Sequence, residues 1–238
     1  MKGCVNNITP FSSVDGTGNR MIIFFQGCNF KCLYCHNPET IPFASVEGFD
    51  EGFVMTPNEI VDKVKGQMPF IRGVTISGGE CTASYDFLLE TVKALKAASI
   101  HVLLDTNGFV EQDKLKRLAV YVDGFMLDIK AFNNDQHRAL TGVDNTLVLE
   151  SFQTLSRLNK LEEVRTVILG NIVDSRQTVE SVSRLIALSN PNIPYKLIRF
   201  RKHGIAEAGR ILQGPSDSFM EELKQLALSN GLESVITL

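Results

Sequence analysis

The 238-residue sequence predicts an α/β protein built on a largely parallel sheet. Three observations lead there. Short apolar or β-branched runs recur at residues 20–25, 73–77, 101–105, 124–128, 164–169 and 195–200. Between them lie stretches whose apolar residues repeat at helical spacing. No linker, repeat or low-complexity stretch divides the chain, so a single domain over 1–238 is expected. Alternation of this kind implies parallel strands joined by right-handed crossovers. Six such units fall short of a closed eight-stranded barrel. An open, partial (β/α) barrel and a doubly wound sheet both fit, and both put ligands at the carboxyl ends of the strands.

The helices carry readable punctuation. Thr56-Pro57-Asn58-Glu59 is a capping box with proline at the first helical position, followed by Ile60, Val61 and Val64. A helix opening at Ser84 puts Leu88, Val92 and Leu95 on one face. Asp174 and Gln177 start another, with Val179, Val182, Leu185 and Ile186 at helical spacing. The last helix follows Gly214-Pro215-Ser216 and stops at Asn230-Gly231. Residues 233–238 are a candidate terminal strand, residues 133–160 hold two further helices, and residues 44–52 read as a loop.

Composition narrows the function classes. With 24 basic against 27 acidic residues the net charge is -3, which lacks the footprint of a nucleic-acid binder. No basic run suggests a membrane-surface role. The longest apolar run, residues 21–25, is too short to span a bilayer, and Lys2 is followed by no hydrophobic signal core. A cytoplasmic location is expected. Five cysteines, Cys4, Cys28, Cys32, Cys35 and Cys81, are an odd number for a disulfide framework and read as metal or redox chemistry.

Three of them stand in one run, Gln26-Gly27-Cys28-Asn29-Phe30-Lys31-Cys32-Leu33-Tyr34-Cys35-His36-Asn37-Pro38. A structural zinc site is the plainer reading, but zinc sites pair ligands in two separated couples. No second couple exists here, and His36 adjoins a ligand in sequence. A C-x3-C-x2-C triad suits a [4Fe–4S] cluster with three irons held by protein and the fourth open to a chelator. The remaining unusual polar residues fall at other strand ends: Gly78-Gly79-Glu80, Asp105-Thr106-Asn107-Gly108, Asp128-Ile129-Lys130, Gly170-Asn171 and residues 201–204. Taken alone, the first would be a strand-to-helix turn and the acids ordinary turn formers.

The cysteine triad, with an aromatic residue before its last member, resembles the signature of the radical S-adenosylmethionine (SAM) superfamily. Asp15-Gly16-Thr17-Gly18-Asn19-Arg20, Gln26-Gly27-Cys28 and Tyr34-Cys35-His36-Asn37-Pro38 resemble the glycyl-radical-enzyme activating enzymes, the pyruvate formate-lyase activase group. Ser77-Gly78-Gly79-Glu80, Asp105-Thr106-Asn107-Gly108 and Met126-Leu127-Asp128-Ile129-Lys130 continue the match in order. Residues 8–12 and 200–204 look most like the YjjW-type branch, although no cysteine-rich ferredoxin insert lies between Asn37 and Gly73.

The resemblance implies a partial (β/α)6 barrel of the radical SAM type. It implies one [4Fe–4S] cluster on Cys28, Cys32 and Cys35, and SAM on its open iron. Gly78, Gly79 and Glu80 would hold the SAM amino group, Lys130 its carboxylate, and Tyr34, Cys35, His36 and Asn37 would lie beside it. A monovalent cation would sit near that carboxylate on Asp105, Thr106, Met126 and Asp128. Reductive cleavage of SAM would give a 5′-deoxyadenosyl radical that takes a hydrogen from a backbone glycine of a partner enzyme, in an anaerobic cytoplasm. No side-chain acid or base is needed.

Asp15 is the expected substrate contact, and flavodoxin or ferredoxin the expected electron donor. Where the family has a histidine near the adenosine, this chain has Phe200-Arg201 with His203 beyond, and neither Arg201 nor His203 is assigned. Arg165 interrupts an apolar strand and fits a structural ion pair as well as a substrate contact. Cys4 and Cys81 read as small incidental thiols. The rival functions are a radical SAM enzyme acting on a small molecule and a non-catalytic metal-binding module.

Overall fold

The computed structural model describes residues 1–202, 204–205 and 207–238. Its strands are β1 (Gly3–Ser12), β2 (Arg20–Phe25), β3 (Phe53–Met55), β4 (Gly73–Gly78), β5 (His101–Thr106), β6 (Gly124–Asp128), β7 (Leu161–Ile168), β8 (Tyr195–Arg199) and β9 (Val235–Thr237). Its α-helices are α1 (Pro57–Lys65), α2 (Tyr85–Ala97), α3 (Gln112–Ala119), α4 (Asn134–Thr141), α5 (Thr146–Arg157), α6 (Ser175–Ser189) and α7 (Asp217–Ser229). No helix among the described residues is long and apolar enough to cross a membrane.

All six expected strands form, and they follow one another in the sheet order β3-β1-β2-β4-β5-β6-β7-β8-β9. A doubly wound sheet reverses its order at a switch point. Here β2, β4, β5, β6, β7 and β8 keep their sequence order, so the sheet is wound in one direction and left open, as a partial barrel requires. The parallel pairs β2/β4, β4/β5, β7/β8 and β8/β9 carry it, while β1 runs antiparallel to both β2 and β3.

Two strands have no counterpart in the sequence reading. β1 (Gly-Cys-Val-Asn-Asn-Ile-Thr-Pro-Phe-Ser) lacks clean alternation, carries Pro10, and is bulged against β2. β3 is three residues long and edges the sheet. α3 was also illegible, because its N-cap Glu111 makes no side-chain capping bond. Ser84 opens α2 without a side-chain capping bond, whereas the other caps read from the sequence form. Thr56 Oγ1 accepts from Glu59 N–H while Glu59 Oε2 accepts from Thr56 N–H, and Asp174 and Ser216 cap α6 and α7.

The chain packs as two compact units that exchange segments along the sequence: Met1–Asn29, Glu39–Thr106 and Val110–Met126 in the first; Phe30–Pro38, Asn107–Phe109 and Leu127–Leu238 in the second. In the first, Ile22, Ile23, Phe25, Val74, Ile76, Leu88, Val92 and Leu104 are fully or almost fully buried. In the second, Tyr34, Leu140, Leu169, Phe200 and Leu212 form one apolar cluster, against which Cys32 and Leu33 pack.

Arg20 is the largest fully buried side chain. Its Nε donates to Thr75 Oγ1 at 2.8 Å and its Nη2 to the Val74 carbonyl at 2.6 Å; Nη2 also lies 3.3 Å from His101 Nδ1. Thr75 passes the interaction on, its hydroxyl donating to the Asp15 carbonyl at 2.7 Å. One cation thus ties the starts of β2, β4 and β5 to the 15–20 loop. Arg20→Met removes every one of these donors and leaves buried acceptors without partners. We expect a loss of about 3 kcal/mol in unfolding free energy, read from the urea midpoint at unchanged slope.

Candidate functional site

In the first unit, β2 and β4 run in parallel register, with Phe25 opposite Gly78, and both chains then turn away together. The turn is possible because residues 78 and 79 are glycines. Gly78 has φ of +129°, and a Cβ there would lie 2.2 Å from the Phe25 carbonyl oxygen. A Cβ on Gly79 would lie 2.5 Å from Gly27 O and 2.6 Å from Thr40 O. The close approach is therefore to the protein's own backbone. Gly79 N–H donates to Phe25 O and Glu80 N–H to Gly27 O, at 3.1 and 2.9 Å. With those N–H groups engaged, the backbone of the turn could serve a ligand only through carbonyl oxygens, as acceptors.

Residues 26–28 are bracketed by the returning chain. Gly27 and Cys28 donate their N–H groups to Thr40 O and Ile41 O, and the Gln26 side chain donates to Glu39 O and Pro42 O. Glu80 is buried, and its Oε1 accepts from Thr82 N–H, Thr82 Oγ1 and Thr106 Oγ1 at 2.7 to 2.9 Å. Its carboxylate caps the short 3-10 turn Cys81–Ser84 and ties it to the end of β5. Asp105 Oδ2 accepts from Ser77 Oγ at 2.9 Å. Cys81 is buried, donates to the Asp105 carbonyl, and has its thiol pushed well up by burial and by the neighbouring Glu80 and Asp105. Cys4 is buried as well, its thiol also raised by burial.

The 15–20 loop belongs to the same surface. Thr75 and Ser77 alternate onto one face of β4, about 6.6 Å apart. Thr75 holds the Asp15 carbonyl and Ser77 holds Asp105. Gly16 packs on Leu103, which shares its face with Asp105. The Asp15 carbonyl and the Asp105 carboxylate are thus held by hydroxyls one pleat repeat apart on β4, and the Asp15 carboxylate accepts from Ser12 Oγ at 2.5 Å.

In the second unit, the middle of the cysteine run is seated on α4. Lys31 N–H donates to Thr141 O and Leu33 N–H to Leu140 O, satisfying carbonyls that a helix C-terminus leaves open. Cys35 N–H donates to Cys32 O, closing a tight turn. Phe30 stands edge-on to buried His137 at 5.5 Å. Burial lowers the His137 pKa, and its Nδ1 bonds Val143 O, which fixes a neutral ring with the proton on Nδ1. His36 Nε2 bonds Arg201 O at 2.9 Å, and its ring stacks on Phe200. Since a carbonyl only accepts, that nitrogen carries a proton. Asn37 is exposed, as is the Arg201 side chain, and His203 lies outside the described residues.

Lys130 faces an acid of its own chain. Its ammonium is 2.7 Å from Asp128 Oδ2 and 5.6 Å from the Tyr34 ring centre. Burial works against the ammonium, but Asp128 outweighs it and holds the Lys130 pKa well above its ordinary value. Burial pushes the Cys32 thiol up to about 11 against the pull of Lys130, and raises the Tyr34 phenol well beyond its usual range. Arg165 is also accounted for within the fold. Its Nε bonds Glu163 on the same face of β7, and Lys196, opposite Arg165 in register, bonds the other Glu163 oxygen at 2.6 Å.

Sequence reasoning missed Arg20, Ser77, Thr82 and the bond from His36 to Arg201. Ser77 and Arg20 were inside quoted motifs, so the signal was present. The carbonyl at residue 201 had none.

The Radical SAM superfamily model matches residues 22–186. The chain belongs to that superfamily. A Haemophilus influenzae protein named for glycyl-radical enzyme activation is 33% identical over 98% of this chain and 96% of its own length. A pyruvate formate-lyase-activating enzyme of Staphylococcus epidermidis is 30% identical over 97% of both. Among solved structures, a domain of a pyruvate-formate lyase-activating enzyme from Bacteroides vulgatus superposes with TM-score 0.60 at 19% identity, covering 70% of this chain and 98% of that one. A radical SAM methyltransferase from Sphaerobacter thermophilus gives 0.68 at 15%, covering 92% and 66%. These two support the fold alone.

The superfamily uses a [4Fe–4S] cluster and SAM, and the donor set present suits them. Cys28, Cys32 and Cys35 form no disulfide and are partly exposed, whereas Cys4 and Cys81 are buried. Among the described residues, no three His, Cys, Asp or Glu side chains gather closely enough to ligate one ion. A four-iron cluster asks for a wider set, one thiolate to each iron. Gly79→Ala puts a methyl group against two backbone oxygens that bracket Gly27-Cys28. We expect it to lower iron incorporation on anaerobic reconstitution several-fold while far-ultraviolet circular dichroism is retained.

Proposed function

We propose that this radical SAM protein is an activating enzyme for a glycyl-radical enzyme, acting on a backbone glycine of its protein partner. The observation that carries the reading is the anchored 15–20 loop. It offers the partner a rigid edge on the face that bears Asp105, and relatives aligned over nearly the whole chain are named for this activity. When bound, the cluster and SAM supply a carbon-centred radical able to take a hydrogen atom from a glycine Cα.

Cys28, Cys32 and Cys35 would hold the cluster. The carbonyl oxygens of Gly78 and Gly79 would accept from the SAM ammonium, while Glu80, saturated by two threonines, shapes the turn. Lys130 would present its ammonium to the SAM carboxylate while keeping Asp128 as counter-ion. A resident cation beside Asp128 also means that any monovalent ion on Asp105 and Asp128 shares the second acid with Lys130. Tyr34, His36 and Asn37 would line the adenosine, with His36 held in place by Arg201 O. Asp15 would meet the partner's glycine loop. The two packing units would work as one core over 1–238, in the cytoplasm, with flavodoxin or ferredoxin giving the electron.

Anaerobic reconstitution should give about four irons per chain, with deoxyadenosine released from SAM on reduction. Added glycyl-radical enzyme from the same genome should then show a glycyl doublet by EPR, and Asp15→Asn should weaken that signal while deoxyadenosine release without partner is unchanged. Deoxyadenosine release with no doublet from any such partner would move the reading to a small-molecule substrate.

A further inference from the structure

The chain is acidic overall, yet one stretch of the second unit is strongly basic. Residues 199–210 carry Arg199, Arg201, Lys202 and Arg210 against a single acid, Glu207. Arg199 is occupied, bonding Pro215 O and Asp217 at 2.8 and 2.6 Å. The other three are exposed, and none of them forms an ion pair among the described residues. Lys31, exposed within the cysteine run itself, is likewise outside any such pair.

The fold lays this stretch directly on the cysteine turn. His36, next to Cys35, stacks on Phe200 and bonds Arg201 O. A Cβ on Gly204 would come within 3.1 Å of His36 O, and one on Gly209 within 2.2 Å of Leu33 O. Lys202 Nζ donates to Arg210 O at 3.2 Å, pinning the two basic positions together. Tyr34, Phe200 and Leu212 close the apolar layer beneath. The backbone that carries these cations is therefore held at Leu33 and His36 by packing and hydrogen bonds.

We propose that Arg201, Lys202 and Arg210, with Lys31, form the docking surface for a one-electron donor protein with an acidic face. The proposal rests on the cluster assignment made above and adds where the electron enters. Residues 200, 201, 204 and 209 touch Leu33 and His36, which flank the partly exposed Cys35, so a donor bound here would approach the cluster edge. A reduced flavin on the donor gives up one electron and the cluster charge falls by one, with no bond made or broken in the protein. Opposite charge gathers such a partner before contact, over a Debye length of about 8 Å at physiological ionic strength, and raises association rates by roughly 10- to 1000-fold. Burial of an apolar patch is not required.

The test uses the reconstituted holoprotein and flavodoxin reduced to its hydroquinone, with cluster reduction followed by stopped-flow absorbance. The triple variant Arg201→Glu/Lys202→Glu/Arg210→Glu should lower the second-order rate at low salt by about 10-fold or more, the difference shrinking as salt rises. Reduction of the same variant by photoreduced deazaflavin, a neutral small molecule, should match wild type. Should the triple variant misfold, Arg201→Gln/Lys202→Gln/Arg210→Gln and Lys31→Glu give smaller losses in the same direction, while Lys116→Glu on α3 gives none. Equal flavodoxin rates and equal salt dependence in wild type and variants would overturn the docking surface. Failure of wild type to take up iron or to cleave SAM with deazaflavin would instead overturn the cluster reading, so the two are distinguishable.

Discussion

The end of β2 and the end of β4 can meet only because residues 78 and 79 have no side chains. Phe25, Gly27 and Thr40 occupy the space that a Cβ at either position would need. Their contact decides where the chain goes next on both sides. On one side it releases Gly27-Cys28 into the cysteine run, with the returning residues 39–42 bonded back across it. On the other it turns Glu80 inward, where two threonine hydroxyls and one backbone N–H fix the carboxylate. Neither glycine is there for flexibility. Each is there because parallel strands normally diverge into their crossovers, and these two are held together past the last ladder bond.

The acids of the proposed site are individually neutralised or hydrogen-bonded, which a low-dielectric interior demands. Glu80 has Thr82 and Thr106, Asp105 has Ser77, Asp128 has Lys130, and Glu163 has Arg165 and Lys196. The partners differ in what they leave available. A serine hydroxyl donates to one carboxylate oxygen of Asp105 and adds no charge. Lys130 brings a full charge to Asp128 and still has further N–H donors. Arg165 and Lys196 each engage one oxygen of the Glu163 carboxylate.

Much of this was legible in the chain, and the exceptions have physical reasons. The six expected strands announced themselves because buried parallel strands read as apolar runs. β1 and β3 did not, since β1 is polar along much of its length and bulged against β2, and β3 is three residues at the sheet edge. Motif residues were found because reactive chemistry needs rare residue types in fixed spacing. Their supports were harder, because a backbone carbonyl such as that of Arg201 is identical in every residue. Arg20 lies between these cases. An arginine at the head of an apolar strand looked like a boundary marker, and only its complete burial shows that it organises three strands.

That burial bears on how a protein substrate could be handled. A loop with glycines at 16 and 18 would ordinarily move freely, and a partner would have to order it on docking. Here the cost has been met in folding, because Arg20, Thr75 and the Asp15 carbonyl form one chain of hydrogen bonds rooted in the sheet. The glycines then serve shape, letting the loop approach Leu103 at Gly16 and Arg72 at Gly18. A pre-ordered loop suits recognition of a backbone, which has no side chain to grip. A small molecule would be better served by a deep pocket lined with convergent donors. The rigidity of residues 15–20 is therefore the structural argument for a polypeptide substrate, and it comes from a buried charge at the far end of the loop from Asp15.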